Sequence, residues 1–445
     1  MKLAIHNEVA VSNDEVRQLD RAYVFHSWSM QGNLHPLVIA GAQGCELWDY
    51  DGNTWLDFSS QLVNVNIGYQ HPRVLAAMKA QLETLVTIAP ATANLARGEA
   101  AKRIVDLAPA GFSKVFFTNA GADANENAIR MARLYTGRDK VLSAYRSYHG
   151  NTGSAIAATG DWRRVPNEFS RGHVHFFNPY LYRSEFNAVT EEEECQRALA
   201  HLRRIIECEG PTAIAAILLE SIPGTAGILV PPAGYMQGVR ALADEFGIVL
   251  ILDEVMAGFG RTGSWFAFEQ DGVVPDLVTF AKGVNAGYVP AGGVLISEPI
   301  AHYFDDHFFA GGLTYSGHPL AMAAIVATID AMKEEKVVEN AAYIGNEVLR
   351  PGLEALAEKH AIIGEVRGRG LFQALELVSS REQKTPLTAA DMAAIKGALT
   401  EAGLLAFVVE NRIHVVPPCT ITAEQVAQGL AIFDAVFARF ASLAK

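Results

Sequence analysis

Between about residue 73 and about residue 300, short apolar runs alternate with stretches of helical pattern, and this alternation limits the fold more than any other feature of the chain. KVFFTN is followed by NENAIRMARLYTG, and AAILLES by GYMQGVRALADEFG; KVLSAY, IVLILDEV, LVTFAKG and GGVLIS supply the further apolar runs. Strands alternating with helices imply parallel strands joined by helical crossovers, an α/β doubly wound architecture. Residues 45–67, CELWDYDGNTWLDFSSQLVNVNI, alternate apolar and polar side chains around Asp51-Gly52, a hairpin signal. After about residue 320 helices dominate, followed by strand candidates in VRGRGLFQALELV and RIHVVPP and a final amphipathic helix. A chain of 445 residues exceeds the size of one hydrophobic core. The expected division is therefore an N-terminal segment, 1–70, that joins the small domain, a large domain over 71–320, and a small C-terminal α+β domain over 321–445.

Composition excludes several function classes. Half of the residues are hydrophobic and 19% are charged, the balance of a soluble globular protein, and the formal net charge of −13 disfavours nucleic acid and anionic membrane surfaces as partners. The cysteines, at 45, 195, 208 and 419, fall in no metal-ligand or CxxC spacing, so neither a zinc site nor a disulfide framework is expected, and a reducing cytoplasm fits. The opening MKLAIHNEVAVSNDEVRQ has its apolar stretch broken by His6, Asn7 and Glu8 before signal-peptide length. No apolar run approaches the ~20 residues of a membrane span. The run Glu191 to Glu194 reads as a solvated helix start.

In doubly wound sheets the chemistry collects at the C-terminal ends of the strands. There the sequence places Thr118-Asn119-Ala120-Gly121, then Tyr148-His149-Gly150, then Glu220, Asp253-Glu254 and Lys282. The turn before NENAIRMARLYTG opens a helix with Asp123 near its cap and Gly137 as its stop; the amides of Gly121 and Ala122 either hold a phosphate at a helix N-terminus or form an ordinary packing turn. Asp253 follows five apolar residues and needs a cation or several donors to stay ionised. That partner is either Arg261 or a ring nitrogen that Asp253 keeps protonated. Lys282 sits at the buried end of LVTFA, where lost hydration lowers an amine's pKa and makes it a nucleophile toward carbonyls. An aldehyde, a phosphate and a protonated ring nitrogen together describe pyridoxal phosphate. The formal GxGxxG of Gly258 to Gly263 is a weak dinucleotide signal, because no helical pattern follows it.

LILDEVMAGFGRTG, PDLVTFAKGVNAGYVPAGGVLIS and GGLTYSGHPLA, in that order, resemble the class III, or ω-, aminotransferases of pyridoxal-phosphate fold type I, and the likeness runs from LHPLVIAGAQGCELWDYDGNTWLDFSS to RIHVVPPCTIT. The resemblance implies a large mixed, mostly parallel sheet with helices on both faces and a smaller α+β domain. It makes Lys282 the Schiff-base lysine and proton shuttle and Asp253 the partner of the pyridine nitrogen. Val255 and Tyr148 become the residues on the two ring faces, Gly121 and Ala122 the phosphate turn, and Glu220 the acid that tunes a substrate arginine or the cofactor region. Thr314 would complete the phosphate site of a neighbouring subunit, which implies an obligate homodimer with shared active sites and allows a tetramer.

Several positions depart from the family pattern. The usual NSGSEA turn is Asn119-Ala120-Gly121-Ala122-Asp123-Ala124, so phosphate binding must rest on backbone amides. Met256 replaces a common glutamine, as in members resembling amine–pyruvate enzymes. Asn151 in SYHGNT stands where 4-aminobutyrate and ornithine enzymes carry an arginine for a distal carboxylate. Near the C-terminus His414 occupies the usual arginine position, with Arg412 two residues earlier on the same strand face; Arg412 is either the acid clamp or a surface residue. Trp28, Leu62, Val63, Tyr148 and Trp162 are candidate substrate walls, and His149 reads as structural.

The expected activity is ping-pong transfer of an amino group from an ω-amino acid or amine, of the taurine, β-alanine or aryl-alkyl class, to a small 2-keto acid, pyruvate first. The alternatives are a 4-aminobutyrate or ornithine type enzyme using 2-oxoglutarate, and a non-catalytic binding module of the same fold.

Overall fold

The computed structural model describes residues 11–167 and 170–444; the opening segment with His6, Asn7 and Glu8 lies outside the described residues. Its centre is a seven-stranded sheet. In spatial order the strands are Phe112–Thr118, Gly292–Ser297, Leu277–Phe280, Val249–Asp253, Ile214–Glu220, Lys140–Ala144 and His173–Phe176. The pairs from Leu277–Phe280 through to His173–Phe176 are parallel. Gly292–Ser297 runs antiparallel to both neighbours, although GGVLIS belongs to the same alternating pattern. The segment that precedes it contains only a short 3-10 turn at Lys282–Val284 instead of a crossover helix, so the chain reverses rather than crossing the sheet face. Every residue of Ile214–Glu220 and Val249–Asp253 is buried, as expected of strands covered on both faces.

Register sets the site. Glu220 pairs with Asp253, and Asp253 pairs with Thr279, so two acids and the approach to Lys282 lie side by side at one edge.

Two smaller sheets complete the fold. The turn at Asp51-Gly52 joins Glu46–Trp48 to Thr54–Asp57 as an antiparallel pair, and the Asp49 carboxylate accepts the amides of Asp51 (3.0 Å) and Asn53 (2.9 Å) to lock it. Leu404–Leu405 then adds to Thr54–Asp57 in parallel. In the third sheet VRGRGLFQALELV folds as a hairpin of Ile363–Arg369 and Phe372–Ser380, turning at Gly370 with φ 55°, and Arg412–Val415 pairs beside it. The helix Ala423–Arg439 starts with a Thr422/Gln425 capping box and buries Val426, Phe433 and Phe437, at about 1.5–3 kcal/mol for each large side chain. The run at 191 does open a helix, capped by the Thr190 hydroxyl. Glu194, however, is fully buried: it takes the Tyr180 amide at 2.7 Å and the Ser184 hydroxyl, so one of the four acids anchors a neighbouring loop. Among the described residues no helix is long and apolar enough to cross a membrane.

Candidate active site

At the strand ends lies a cavity of about 410 Å³, with Lys282, Asp253, Glu220 and Tyr148 in its walls and the Gly121 turn at one side. The helix Gly121–Thr136 begins after Ala120, which provides no side-chain cap. Its first amides therefore keep their donors for something else. A Cβ on Gly121 would stand 2.8 Å from a Val255 methyl, so glycine here lets Val255 close one face of the cavity against the helix start.

Asp253 is 3% exposed and its carboxylate is held on both oxygens. Oδ2 accepts from Asn125 Nδ2 and from His149 Nδ1, each at 2.8 Å, and Oδ1 accepts from the Val255 amide at 3.0 Å. Asn125 also donates to the His149 carbonyl (2.7 Å) and accepts from the Thr279 hydroxyl (2.7 Å). These bonds satisfy both oxygens of the buried carboxyl group. Arg261 does not pair with it. That side chain is fully buried and donates to the Pro417 and Leu371 carbonyls, Ser60 Oγ and Asn66 Oδ1, which ties the GFGRTG turn to the C-terminal segment.

Burial lowers the Lys282 amine to about 8, against the opposing pull of the Asp253 and Glu220 charges. Lys282 also sits in the left-handed region at φ 44°, as do Trp28 (60°) and Val63 (62°). For side chains of this size such backbone costs on the order of 1–3 kcal/mol per residue. Glu220 accepts the Tyr148 amide (3.1 Å) and the Gly224 amide (2.7 Å); burial pushes its carboxyl up, His149 opposes this and Asp253 adds to it.

The remaining sequence candidates divide. Leu62 and Met256 line the cavity, and Gly224 fits closely against the Met256 sulfur. Tyr148 meets the Trp28 ring edge-on at 5.6 Å, and the Arg163 guanidinium lies 4.2 Å from the Tyr148 ring centre and 5.1 Å from that of Trp28. Val63 is buried in an apolar cluster with Ile222 and Phe372 instead of facing the cavity. Trp162 is 77% exposed. Thr314 is exposed on a loop. Arg412 is 5% exposed and bonded to Glu410; His414 on the same strand is buried, and burial together with Arg412, Arg367 and Lys282 keeps it well below the usual histidine range.

Asn125, Thr279 and Arg163 were not among the residues singled out from sequence, and His149 was read as structural. Asn125 sat in plain view in NENAIR, but its partners are 24, 128 and 154 residues away in the chain. Only the register of the sheet shows what it holds.

Comparison with known proteins matches residues 28–437 to the model of the class-III aminotransferase family. The taurine–pyruvate aminotransferase of Bilophila wadsworthia is 34% identical over 88% of this chain and 88% of its own length. The 4-aminobutyrate aminotransferase of Escherichia coli K12 is 35% identical over 91% and 94%. The solved structure of a taurine:2-oxoglutarate aminotransferase from Bifidobacterium kashiwanohense, in complex with pyridoxal phosphate and glutamate, superposes with a TM-score of 0.94 at 44% identity, covering 98% of this chain and 99% of that one. The uncapped helix start, the anchored Asp253 and the partly desolvated Lys282 fit the phosphate, ring nitrogen and aldehyde of that cofactor. The chain is a member of the class-III aminotransferases, pyridoxal-phosphate enzymes of fold type I.

Proposed function

We propose that the protein transfers an amino group from an ω-amino acid or amine, of the taurine, β-alanine or aryl-alkyl amine class, to a small 2-keto acid, with pyruvate as the acceptor, in two alternating half-reactions. The observation that carries this reading is the convergence of Lys282, Asp253 and the uncapped helix start on one cavity. The bound cofactor supplies an aldehyde that condenses with amines and a ring that accepts the electron pair left when the substrate carbon loses a proton.

The protein's own groups do the rest. The amides of Gly121 and Ala122, with Thr314 of the partner subunit in a homodimer, would hold the phosphate. Asp253 would face the ring nitrogen of the cofactor and hold a proton on it, and the three donors on Asp253 keep its carboxylate from turning away. Val255 and Tyr148 would flank the ring, and Glu220 fixes Tyr148 through its backbone amide. Lys282, near 8 rather than at its ordinary value, is neutral often enough near pH 7 to serve first as the amine that condenses and then as the base whose Nζ takes the proton from the donor carbon. Leu62, Met256 and Trp28 bound the space for the donor's side chain, and Arg412 binds the acid group of the acceptor. The cysteine usage supports a cytoplasmic setting.

Asn151 offers no cation for a distal carboxylate, which favours pyruvate over 2-oxoglutarate. The likeness to a taurine:2-oxoglutarate aminotransferase favours the longer acceptor as a second reading. The test is a near-visible absorbance spectrum of the cofactor-loaded protein, with taurine, β-alanine, 4-aminobutyrate and 1-phenylethylamine added singly, then pyruvate or 2-oxoglutarate. A donor that bleaches the band and pyruvate that restores it is the expected result; restoration by 2-oxoglutarate alone selects the second reading, and no response to any donor overturns both.

A further inference from the structure

The GFGRTG turn finds no nucleotide-binding context, yet it carries Arg261, the largest fully buried side chain among the described residues. The guanidinium is bonded only to neutral oxygens: the Leu371 (3.3 Å) and Pro417 carbonyls, Ser60 Oγ (3.1 Å) and Asn66 Oδ1 (3.0 Å). Its Nε has no partner, and among the described residues no carboxylate lies within ion-pair reach. Asp57 acts on it only through space, because the Asp57 oxygens are taken by the Ser59 amide (2.8 Å), the Ser59 hydroxyl (2.6 Å) and the Tyr69 hydroxyl (2.6 Å). Burial keeps the nearby Cys45 and Cys419 as thiols. A guanidinium does not give up its proton in a protein, so Arg261 is a fixed positive charge without a counter-ion. Stability alone is a weak reason for such a residue, since a well-packed apolar side chain costs less to bury.

What this charge supports is the turn that carries Lys282. Asn66 holds Arg261 with Oδ1 and donates to the Phe259 carbonyl (2.7 Å) with Nδ2. Gly283, the residue after Lys282, is seated on that pair: a Cβ there would stand 2.4 Å from Asn66 Nδ2 and 3.1 Å from Phe259 Cβ. Phe259 (φ 57°) and Lys282 (φ 44°) both have left-handed backbone, so the contact joins two strained segments that need outside support. The groups that act on the Lys282 amine come from several elements. Burial lowers it first; Asp253 and Glu220, at the ends of Val249–Asp253 and Ile214–Glu220, raise it, and Arg261 lowers it further. His414, on Arg412–Val415, is also within reach of the Lys282 charge, but burial keeps that ring neutral. Two acids alone would hold the amine protonated, and Arg261 is the cation that opposes them.

We propose that Arg261 is a positioning residue for the condensation at Lys282: through Asn66 it seats the Lys282 turn, and its fixed charge disfavours a second cation at Lys282 Nζ. This rests on the transaminase reading above and gives the GFGRTG turn a part in it. The charge acts at a distance, so it promotes the neutral amine without occupying space in the cavity.

The test follows the proton on the Lys282 nitrogen in two ways, by the pH dependence of the near-visible absorbance of the cofactor-loaded protein and by the pH dependence of pyridoxal phosphate uptake by the cofactor-free full chain. Removing a positive charge favours protonation, so Arg261→Met is expected to raise both midpoints by about half a pH unit or more and to slow uptake at pH 7 by about three-fold or more. Two substitutions at Asn66 separate charge from support. Asn66→Ala removes the seat and keeps the Arg261 charge, so uptake should slow at every pH with the midpoints within about 0.2 of wild type. Asn66→Asp sets a carboxylate against the guanidinium and cancels its charge in place, so the midpoints should rise as in Arg261→Met. Midpoints unmoved in Arg261→Met, or in Asn66→Asp, show a structural brace only and overturn the proposal. The Asn66 pair decides the matter if Arg261→Met does not fold. Midpoints that follow the charge, alongside no amino transfer from any donor, overturn the transaminase reading and leave the role of Arg261 standing.

Discussion

Asp253 and Arg412 are about equally buried, at 3% and 5% exposure, yet their surroundings are opposites. Each oxygen of Asp253 has an internal donor, and the residues that supply them are themselves bonded or packed. Arg412 has an exposed glutamate on one side and an unused N–H on another. A buried charge whose partners are all internal is fixed for the life of the fold; one whose partner faces water can exchange it. The cavity floor settles its charge on internal donors, and the arginine wall leaves part of its charge to a partner that faces water.

The sharpest break of that comparison is at the floor. Lys282→Ala is expected to abolish turnover with every donor, by at least about four orders of magnitude in kcat, because the nucleophile and the base are lost together; wild-type-like turnover would sink the mechanism. Asp253→Asn keeps the shape and removes the charge, and should cost about 10²–10⁴ in kcat for acids and uncharged amines alike. A loss confined to acid substrates would mean that Asp253 belongs with the arginines instead. Gly121→Ala pushes a methyl into Val255. At about 1–3 kcal/mol of strain it should weaken cofactor retention by roughly ten-fold or more, measured by dialysis and reconstitution.

Lys282 gives a pH test of the floor. Its neutral form grows as pH rises, so the rate at which cofactor-free protein takes up pyridoxal phosphate should climb toward about 8 and then level off. A lysine in water would keep gaining up to about 10.4, and a rate that still climbs there would show that the site is not desolvated. The smallest effect belongs to the wall: Arg412→Lys retains charge without the planar fork and should raise KM for pyruvate by no more than about ten-fold with kcat little changed.

The floor was largely legible in the sequence because its signals are local. A lysine after LVTFA and an acid after IVLIL break apolar runs within one strand length, and a glycine turn precedes a helical pattern. Each rests on a principle that needs no long-range contact. The supports of the floor were not legible: Asn125 lies 128 residues from Asp253 and His149 lies 104 away. A histidine in a glycine turn looks the same in sequence whether it faces solvent or a buried carboxylate. The wall was less legible still. Arg412 drew notice through its spacing from PP, but Arg146 resembles any arginine in a loop until the fold lays it beside Tyr180 and Ala226. The reversal at Gly292–Ser297 escaped for another reason, since an apolar run carries no mark of its direction.

The parallel pairing of Leu404–Leu405 with Thr54–Asp57, reinforced by the Trp55 indole donating to the Thr400 carbonyl at 2.9 Å, joins segments 345 or more residues apart. During synthesis the ribosome must release nearly the whole polypeptide before this pairing can close. At about 5–20 residues per second, the earlier strands wait on the order of half a minute with their outer edge open, while the central sheet already has all its strands. That open edge is a place for a chaperone to hold the nascent chain, and for two unfinished copies to pair wrongly.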